Sequence, residues 1–344
     1  MREGWEYKKF ENCIVKSPKL KQVKKEAYNN GSQYPIISQE EKFISGYCDD
    51  ESMVCHIDRP ILVFGDHTRV LKYIDFDFVV GADGVKVIIP IKSIDSKFLL
   101  YYLQWYNIPN LGYSRHYKLL KDVIVPIPNC TIQHTIVSEL DKLNELIRIK
   151  KEQLKDYDAL AQSIFYEMFG DPVENEKGWE VKKFGELFKL KSGDGLSSKD
   201  FKTGVYPVYG GNGISGYHDS FNMNGDYIII GRVGVYCGNV RKVSGKFWLT
   251  DNAFKLIYHQ KEQVSVFILY LLNILNLHQY ANAAAQPVIS NLTLKSINVP
   301  LPPLSLQQSF AHKIEQIERQ KAEVQKTITD LETLLAARMQ YWFD

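Results

Sequence analysis

Residues 131–169 read TIQHTIVSELDKLNELIRIKKEQLKDYDALAQSIFYEMF, and they predict a long amphipathic helix. Its apolar residues recur at alternating steps of four and three, broken only at Lys150, which is the spacing of a coiled-coil seam. The predicted seam residues are Ile136, Leu140, Leu143, Ile147, Leu154, Tyr157 and Ile164. We expect one long helix that packs along another, and Gly170 is typical of a residue that ends it.

A second stretch of the same kind occupies residues 305–344. Its predicted seam residues are Phe310, Ile314, Ile317, Val324, Ile328, Leu331 and Leu335. Ser305-Leu306-Gln307-Gln308 predicts a capping box at its start. Only eight residues separate Phe169 from Gly178, where the next globular segment begins, so the second helix can pair with the first only by running antiparallel to it.

Two shorter motifs indicate that the whole chain is duplicated. Gly4-Trp5-Glu6-Tyr7-Lys8-Lys9-Phe10 returns as Gly178-Trp179-Glu180-Val181-Lys182-Lys183-Phe184, and Val125-Pro126-Ile127-Pro128 returns as Val299-Pro300-Leu301-Pro302, each 174 residues later. Each globular segment, here called a head, therefore precedes one long helix. The predicted boundaries are 1–130 for the first head, 131–170 for its connector helix, 171–304 for the second head and 305–344 for its connector helix.

The predicted fold class is α/β: two tandem mixed α/β domains and two long antiparallel coiled-coil helices, related by an internal pseudo-twofold duplication. Strands are expected around 61–64, 85–89, 227–230 and 254–258, where β-branched and aromatic residues cluster. Apolar helices are expected at 98–106 and 264–277. The second of these has 14 residues and is too short to cross a membrane, which needs about 20.

The composition of the 344 residues, 45% hydrophobic and 24% charged, is that of a soluble globular protein with two domains. Five cysteines without a CxxC pair predict neither a disulfide framework nor a zinc knuckle, and together with the lack of a signal peptide they favour a cytoplasmic location without a membrane partner. The net charge of +2 neither demands nor excludes nucleic acid.

Catalytic motifs are missing from the sequence. It contains no GxSxG elbow, no HExxH helix, no P-loop and no Asn/Asp-Pro-Pro-Tyr/Phe motif of amino-methylating enzymes. His67 and the Cys55-His56 pair are too isolated to predict a metal site. The glycine-rich runs at 209–214 and 231–239 fit either tight turns or loops that also touch a ligand. We therefore predict binding without chemistry, with no catalytic residue, metal or cofactor on this chain.

Several stretches, in order along the chain, resemble the specificity subunit of type I restriction–modification enzymes. They are Phe64-Gly65-Asp66-His67-Thr68-Arg69, Phe78-Val79-Val80-Gly81-Ala82-Asp83-Gly84, Tyr206-Pro207-Val208-Tyr209-Gly210-Gly211-Asn212-Gly213-Ile214, Gly231-Arg232-Val233-Gly234, Cys237-Gly238-Asn239-Val240, and the Val-Pro-x-Pro entries into helices carrying Gln133 or Gln307. The resemblance covers essentially the whole chain.

This resemblance implies that each head reads one half of a bipartite double-stranded DNA target and that the coiled coil sets the spacer between the halves. It also implies that two modification (methyltransferase) subunits dock on the helices and methylate an adenine in each half-site, and that a translocating restriction subunit can join. S-adenosylmethionine is then expected on the modification subunits, not on this chain.

Candidate DNA contacts are basic, amide and tyrosine side chains on predicted loops, because Arg and Asn pair with base edges while Lys and the tyrosine hydroxyl reach phosphates. The first head offers Arg69, Lys72, Tyr113, Arg115, His116 and Lys118. The second head offers Asn212, Arg232, Tyr236, Asn239, Arg241 and Gln286. Because the two sets differ, the target is expected to be asymmetric.

Two other functions remain open at this stage. A non-catalytic coiled-coil adaptor would account for the helices but gives no reason for two divergent, glycine-rich heads. A specificity subunit of another methyltransferase-based defence system would keep the DNA-reading role with different partners. A stand-alone nuclease or methyltransferase is disfavoured by the missing motifs.

Overall fold

The computed structural model describes residues 2–17, 20–31, 33–82, 84–259 and 264–344. Asp83, in one of the motifs quoted above, lies outside the described residues. The chain divides into two compact units, Met1–Lys151 with Lys326–Asp344 and Glu152–Gln325. Each unit therefore contains one head and parts of both long helices, whereas the predicted division kept the helices as separate segments.

Ten strands and three helices begin in the described residues of the first unit. The strands are β1 (Glu6–Lys9), β2 (Ile14–Val15), β3 (Tyr34–Ile37), β4 (Gly46–Cys48), β5 (Val54–Cys55), β6 (Ile61–Gly65), β7 (Leu71–Ile74), β8 (Phe78–Val80), β9 (Val85–Pro90) and β10 (Ile124–Ile127). The helices are α1 (Ser96–Tyr106), α2 (Tyr117–Leu120) and α3 (Cys130–Phe169). Two four-stranded sheets have the orders β2-β9-β6-β7 and β4-β3-β8-β5, and β1 pairs with β10.

The second unit repeats this topology strand for strand. Its strands are β11 (Glu180–Lys183), β12 (Phe188–Ser192), β13 (Tyr206–Gly210), β14 (Gly213–His218), β15 (Met223–Asn224), β16 (Tyr227–Gly231), β17 (Val240–Val243), β18 (Lys246–Leu249), β19 (Ala253–Tyr258) and β20 (Asn298–Leu301). Its helices are α4 (Phe184–Leu187), α5 (Ser265–Ile274), α6 (Asn291–Lys295) and α7 (Leu304–Phe343), which continues into the first unit. The sheets are β12-β19-β16-β17 and β14-β13-β18-β15, with β11 paired to β20.

The central strand of each head is apolar on both faces because both faces are covered. In β6, Leu62 and Phe64 belong to a core shared with α1 and the long helices, while Ile61 and Val63 belong to a second core shared with the other sheet. In β16, Ile230 and Ile229 divide in the same way. Each head therefore has three layers: a layer of helices, a first sheet and a second sheet. The predicted strands and apolar helices are confirmed.

The two long helices run antiparallel within each unit. In the first unit, Arg338 of α7 donates to Glu139 of α3, and Lys151 donates to Glu332 at 2.7 Å. In the second unit the Phe310 ring lies against Phe165, with 5.6 Å between centroids. Of the fourteen predicted seam residues, nine are buried and five are half-buried. The half-buried members are Leu154, Tyr157, Ile164, Leu331 and Leu335.

The predicted capping box is wrong. α7 begins at Leu304, so Ser305 lies inside the helix and cannot cap it. The Gln307 side chain is used elsewhere: it accepts from the Val264 N–H at 3.1 Å and donates to the Pro302 carbonyl at 2.9 Å. Gln133 does the same in the first unit with the Asp95 N–H and the Pro128 carbonyl. Both glutamines therefore fasten a long helix to its head.

Candidate nucleic-acid interface

Three loops of the first unit meet at one place, and we call them the first loop cluster: residues 38–45, 66–70 and 107–116. Gln39 Oε1 accepts from the His67 N–H at 3.1 Å, and the Thr68 hydroxyl donates to the Gln39 carbonyl at 2.6 Å. The His116 N–H donates to the Asp66 carbonyl at 2.8 Å. The loop after β6 is thus held from both sides.

The same three connections meet in the second unit as the second loop cluster: residues 211–212, 232–239 and 281–290. Val233 bridges to Val288, and the Gly234 N–H donates to the Pro287 carbonyl at 2.9 Å. Gly231 must be glycine because a Cβ there would collide with the Gly211 carbonyl oxygen. The chain positions of the two clusters correspond, although their side chains and loop lengths differ.

Three predicted contacts of the first head are exposed on its cluster or just beyond it: Tyr113, Arg115 and Lys118. The Tyr113 side chain is 95% exposed and stacks on the His67 ring, with 5.1 Å between centroids. Such a free aromatic face can cover sugar or stack on a base. Arg69 is half-buried with a left-handed backbone at φ +62°, and its Nη1 donates to the Ile108 carbonyl at 2.9 Å, which leaves other guanidinium N–H groups for a ligand.

Two predicted contacts of the first head, Lys72 and His116, are not on the surface, and for them the prediction is corrected. Lys72 lies in β7, is 4% exposed, and its Nζ donates to the carbonyls of Ser38 at 2.9 Å and Lys42 at 2.6 Å. Burial disfavours the charged form and lowers the pKa of the Lys72 ammonium. The Lys72 ammonium is therefore hydrogen-bonded within the protein and is not available for a contact with DNA.

His116 is fully buried. Its Nε2 accepts from the Leu111 N–H at 3.0 Å, and its Nδ1 lies 3.0 Å from the Asp66 carbonyl oxygen. The corresponding position of the second unit is Ile289, which is also fully buried and whose N–H donates to the Arg232 carbonyl. His116 thus fills a core position, and sequence reasoning missed this because a histidine between Arg115 and Lys118 has the composition of a basic loop.

In the second unit, Asn212, Tyr236, Asn239 and Gln286 are exposed on the cluster, while Arg232 is half-buried at its centre. The Arg232 guanidinium lies over the Phe254 ring at 5.4 Å, and its Nη1 reaches only a long 3.5 Å contact with the Asp251 carbonyl. Its buried Nε has no partner within the described part of the chain. Arg241 lies in β17 rather than on a loop, and its guanidinium contacts Gly213.

The groups exposed on the two clusters include arginine, asparagine, glutamine and tyrosine side chains, all of which carry hydrogen-bond donors. Among the described residues, no three His, Cys, Asp or Glu side chains are grouped as metal ligands would be. Across the same residues, no helix has both the length and the apolar character needed to cross a bilayer. Gln39 and Thr68 take part in the first cluster but were not predicted, since a polar pair in a loop gives no signal that separates it from solvated surface.

A family model for the type I restriction modification DNA specificity domain matches residues 2–156 and again residues 176–333. The specificity subunit of the EcoprrI type I restriction enzyme from Escherichia coli is 26% identical over 271 residues, which is 69% of this chain and 67% of that protein. The specificity subunit of the MjaIX enzyme from Methanocaldococcus jannaschii is 28% identical over 141 residues, 34% of this chain and 33% of that protein.

Two solved structures share the fold. The S subunit of a type I restriction–modification system from M. genitalium has a TM-score of 0.60 at 17% identity, covering 99% of this chain and 96% of that one. A chain from a study of complex assembly and conformational transition of the type I R-M system has a TM-score of 0.59 at 14% identity, covering 99% of this chain and 98% of that one. Since the family model matches both halves over most of their length, the chain belongs to the type I restriction modification DNA specificity domain family.

Proposed function

We propose that this chain is the DNA-reading subunit of a type I restriction–modification complex and carries no catalysis of its own. The observation that carries the proposal is the loop cluster present at corresponding positions of both units. Each cluster contains a half-buried arginine and exposed amide or tyrosine groups: Arg69 and Tyr113 in the first cluster, and Arg232 and Asn239 in the second. Because the two clusters differ in side chains, each reads a different half-site and the target is asymmetric.

The chemistry of the exposed groups divides them into two roles. Arginine, asparagine and glutamine can form paired hydrogen bonds with base edges, which places Arg232, Asn212 and Gln286 among the base readers. Lysine and tyrosine hydroxyls mainly contact the sugar–phosphate backbone, which orients the protein without reading sequence. Lys118 and Tyr113 belong to this group.

The long helices are proposed to set the spacer and to receive two modification subunits. Each has 40 residues and spans about 60 Å at about 1.5 Å per residue. In α3 the side chains of Leu146 and Ile149 are 45% and 44% exposed, outside the seam, and apolar groups of this kind suit a protein partner. The modification subunits would hold S-adenosylmethionine, a restriction subunit can join, and the complex works in the cytoplasm.

The test is to co-express the chain with the modification subunit of its own genome and to map methylated adenines across a host genome by long-read sequencing. We expect one split, asymmetric motif with a fixed spacer. A modification subunit unable to bind S-adenosylmethionine provides the control. An assembled, cofactor-competent complex that leaves the host genome unmethylated would refute DNA reading and favour the adaptor function.

A further inference from the structure

We propose that Lys72, Gln39 and Thr68 are positioning residues that set the DNA-reading geometry of the first unit without touching DNA. The inference rests on the proposed function. It concerns the β3–β4 connection, residues 38–45, which lies between a buried cation on one side and the loop that carries His67 and Arg69 on the other.

The cation holds the connection through its main chain. Lys72 Nζ donates to the carbonyls of Ser38, Lys42 and Phe43 at 2.9, 2.6 and 3.3 Å. Three carbonyl oxygens from both ends of one loop therefore converge on one ammonium, which has three N–H donors. Other contacts also hold the connection: the Ser38 and Ser45 hydroxyls share a hydrogen bond, and the Glu40 N–H donates to Ser38 Oγ at 3.1 Å. Lys72 differs from them in that it links the main chain at the start of the connection to the main chain near its end.

The connection in turn holds the reading loop. Gln39 accepts from the His67 N–H through its side chain and from the Thr68 hydroxyl through its carbonyl. Gly65 and Gly84 leave room for it: a Cβ at Gly84 would lie 2.6 Å from Gln39 Oε1, and one at Gly65 would lie 2.9 Å from Gln39 Cβ. A shift of Gln39 would therefore move the His67 main chain and the Thr68 side chain, and with them the Tyr113 ring that stacks on His67.

The second unit supports this reading independently. Lys72 pairs with Val63 in β6, and Arg241 pairs with Ile229 in β16, so the two cations occupy the same register. The Arg241 guanidinium contacts Gly213, in the β13–β14 hairpin that corresponds to the connection held by Lys72. That hairpin has a turn of only two residues, 211–212, so it contains less loop that a buried cation would have to hold. The buried cation with three carbonyl partners is thus found where the connection is long.

A positioning role predicts a result that differs from a direct contact. Loss of one base contact relaxes one position of the target, and loss of a phosphate contact weakens all sequences and lowers the salt dependence of binding. Loosening the connection should instead relax several positions of one half-site and leave the salt dependence unchanged, because no phosphate contact is lost.

The experiment uses the assembled complex of this chain with its modification subunits, in the variants Lys72→Met and Thr68→Val. Lys42→Met is the matched control, since it removes an exposed lysine charge from the same connection and leaves the ammonium bonds intact. Methylation is scored on targets with each base of both half-sites substituted, and binding is measured over a range of salt concentrations.

We expect both test variants to lose roughly fivefold to tenfold in discrimination at several positions of the half-site read by the first unit, as one or two lost hydrogen bonds would give. The other half-site and the salt slope should not change, and Lys42→Met should retain full discrimination. Unchanged base preferences in folded Lys72→Met and Thr68→Val complexes would overturn the inference, as would a lower salt slope in either. Thr68 is exposed, so its variant keeps the test valid if Lys72→Met does not fold. Absence of any motif with the unaltered chain would count against the proposed function instead.

Discussion

Replacing Arg232 by lysine tests whether the second loop cluster reads a base. The main chain of Arg232 is fixed on both sides, with its N–H donating to the Asn252 carbonyl and its carbonyl accepting from the Ile289 N–H, each at 2.9 Å. The guanidinium has five N–H donors, and within the described residues only the 3.5 Å contact with Asp251 uses one of them. Because Nε is buried, a paired contact with guanine would use the remaining N–H groups of Nη1 and Nη2.

Lysine keeps the charge of Arg232 but cannot form the two parallel hydrogen bonds. Loss of a paired contact costs about 1–3 kcal/mol, or roughly 5- to 150-fold in discrimination at one base pair. The cation–ring contact with Phe254 adds only about 0.5–1 kcal/mol to stability, so folding should survive. The assay is methylation of target duplexes with each base substituted in turn, at constant salt concentration. Full discrimination by Arg232→Lys would show that the guanidinium contacts phosphate or nothing, and would refute the base-reading role.

Lys118→Ala should weaken binding equally for all sequences and lower the salt slope by about 0.9, measured by titration at several salt concentrations; a changed motif would contradict a phosphate contact. Phe310→Ala should lower the free energy of unfolding of the second unit by about 3–5 kcal/mol in urea titrations, because the fully buried Phe310 ring packs on Phe165. The control Leu292→Ala, at an 80% exposed position, should change this free energy little. The hydrogen bond from Arg338 lowers the pKa of Glu139, so this pair stabilises the folded state above the ordinary carboxyl pKa, and the stabilisation is lost as pH falls through the lowered pKa. Glu139→Gln should therefore reduce the pH dependence of the free energy of unfolding below about pH 5. An unchanged pH dependence in that range would show that the pair contributes nothing.

The architecture was predictable because it depends on periodicity and repetition. The seam of α3 and α7 repeats every seven residues and is buried accordingly, and the 174-residue offset of the Val-Pro-x-Pro motif recurs in the bounds of β10 and β20. Apolar runs such as Ile61–Gly65 were correctly predicted as strands, because a strand that is covered on both faces carries apolar residues on both faces.

The candidate contacts were less predictable because residue type does not report burial. Lys72 and Arg115 are both basic residues of the same head, yet one is buried in a strand and the other is exposed on a loop. The difference comes from the carbonyl groups of Ser38, Lys42 and Phe43, which lie 29 to 34 positions before Lys72, and no local pattern records that partnership. Gln39 was missed for the same reason.

The division of the chain into units also fixes an order of assembly during synthesis. Phe343 is 7% exposed and packs on Phe98 and Tyr102, so the core of the first unit includes side chains that are synthesised after the whole of the second unit. The second unit is continuous from Glu152 to Gln325 and includes no later residue. Domains generally fold in the order in which they are synthesised. Here the first unit can complete its core only after the second unit has been synthesised. A nascent chain that stops at residue 325 would therefore carry a complete second unit and an unfinished first one.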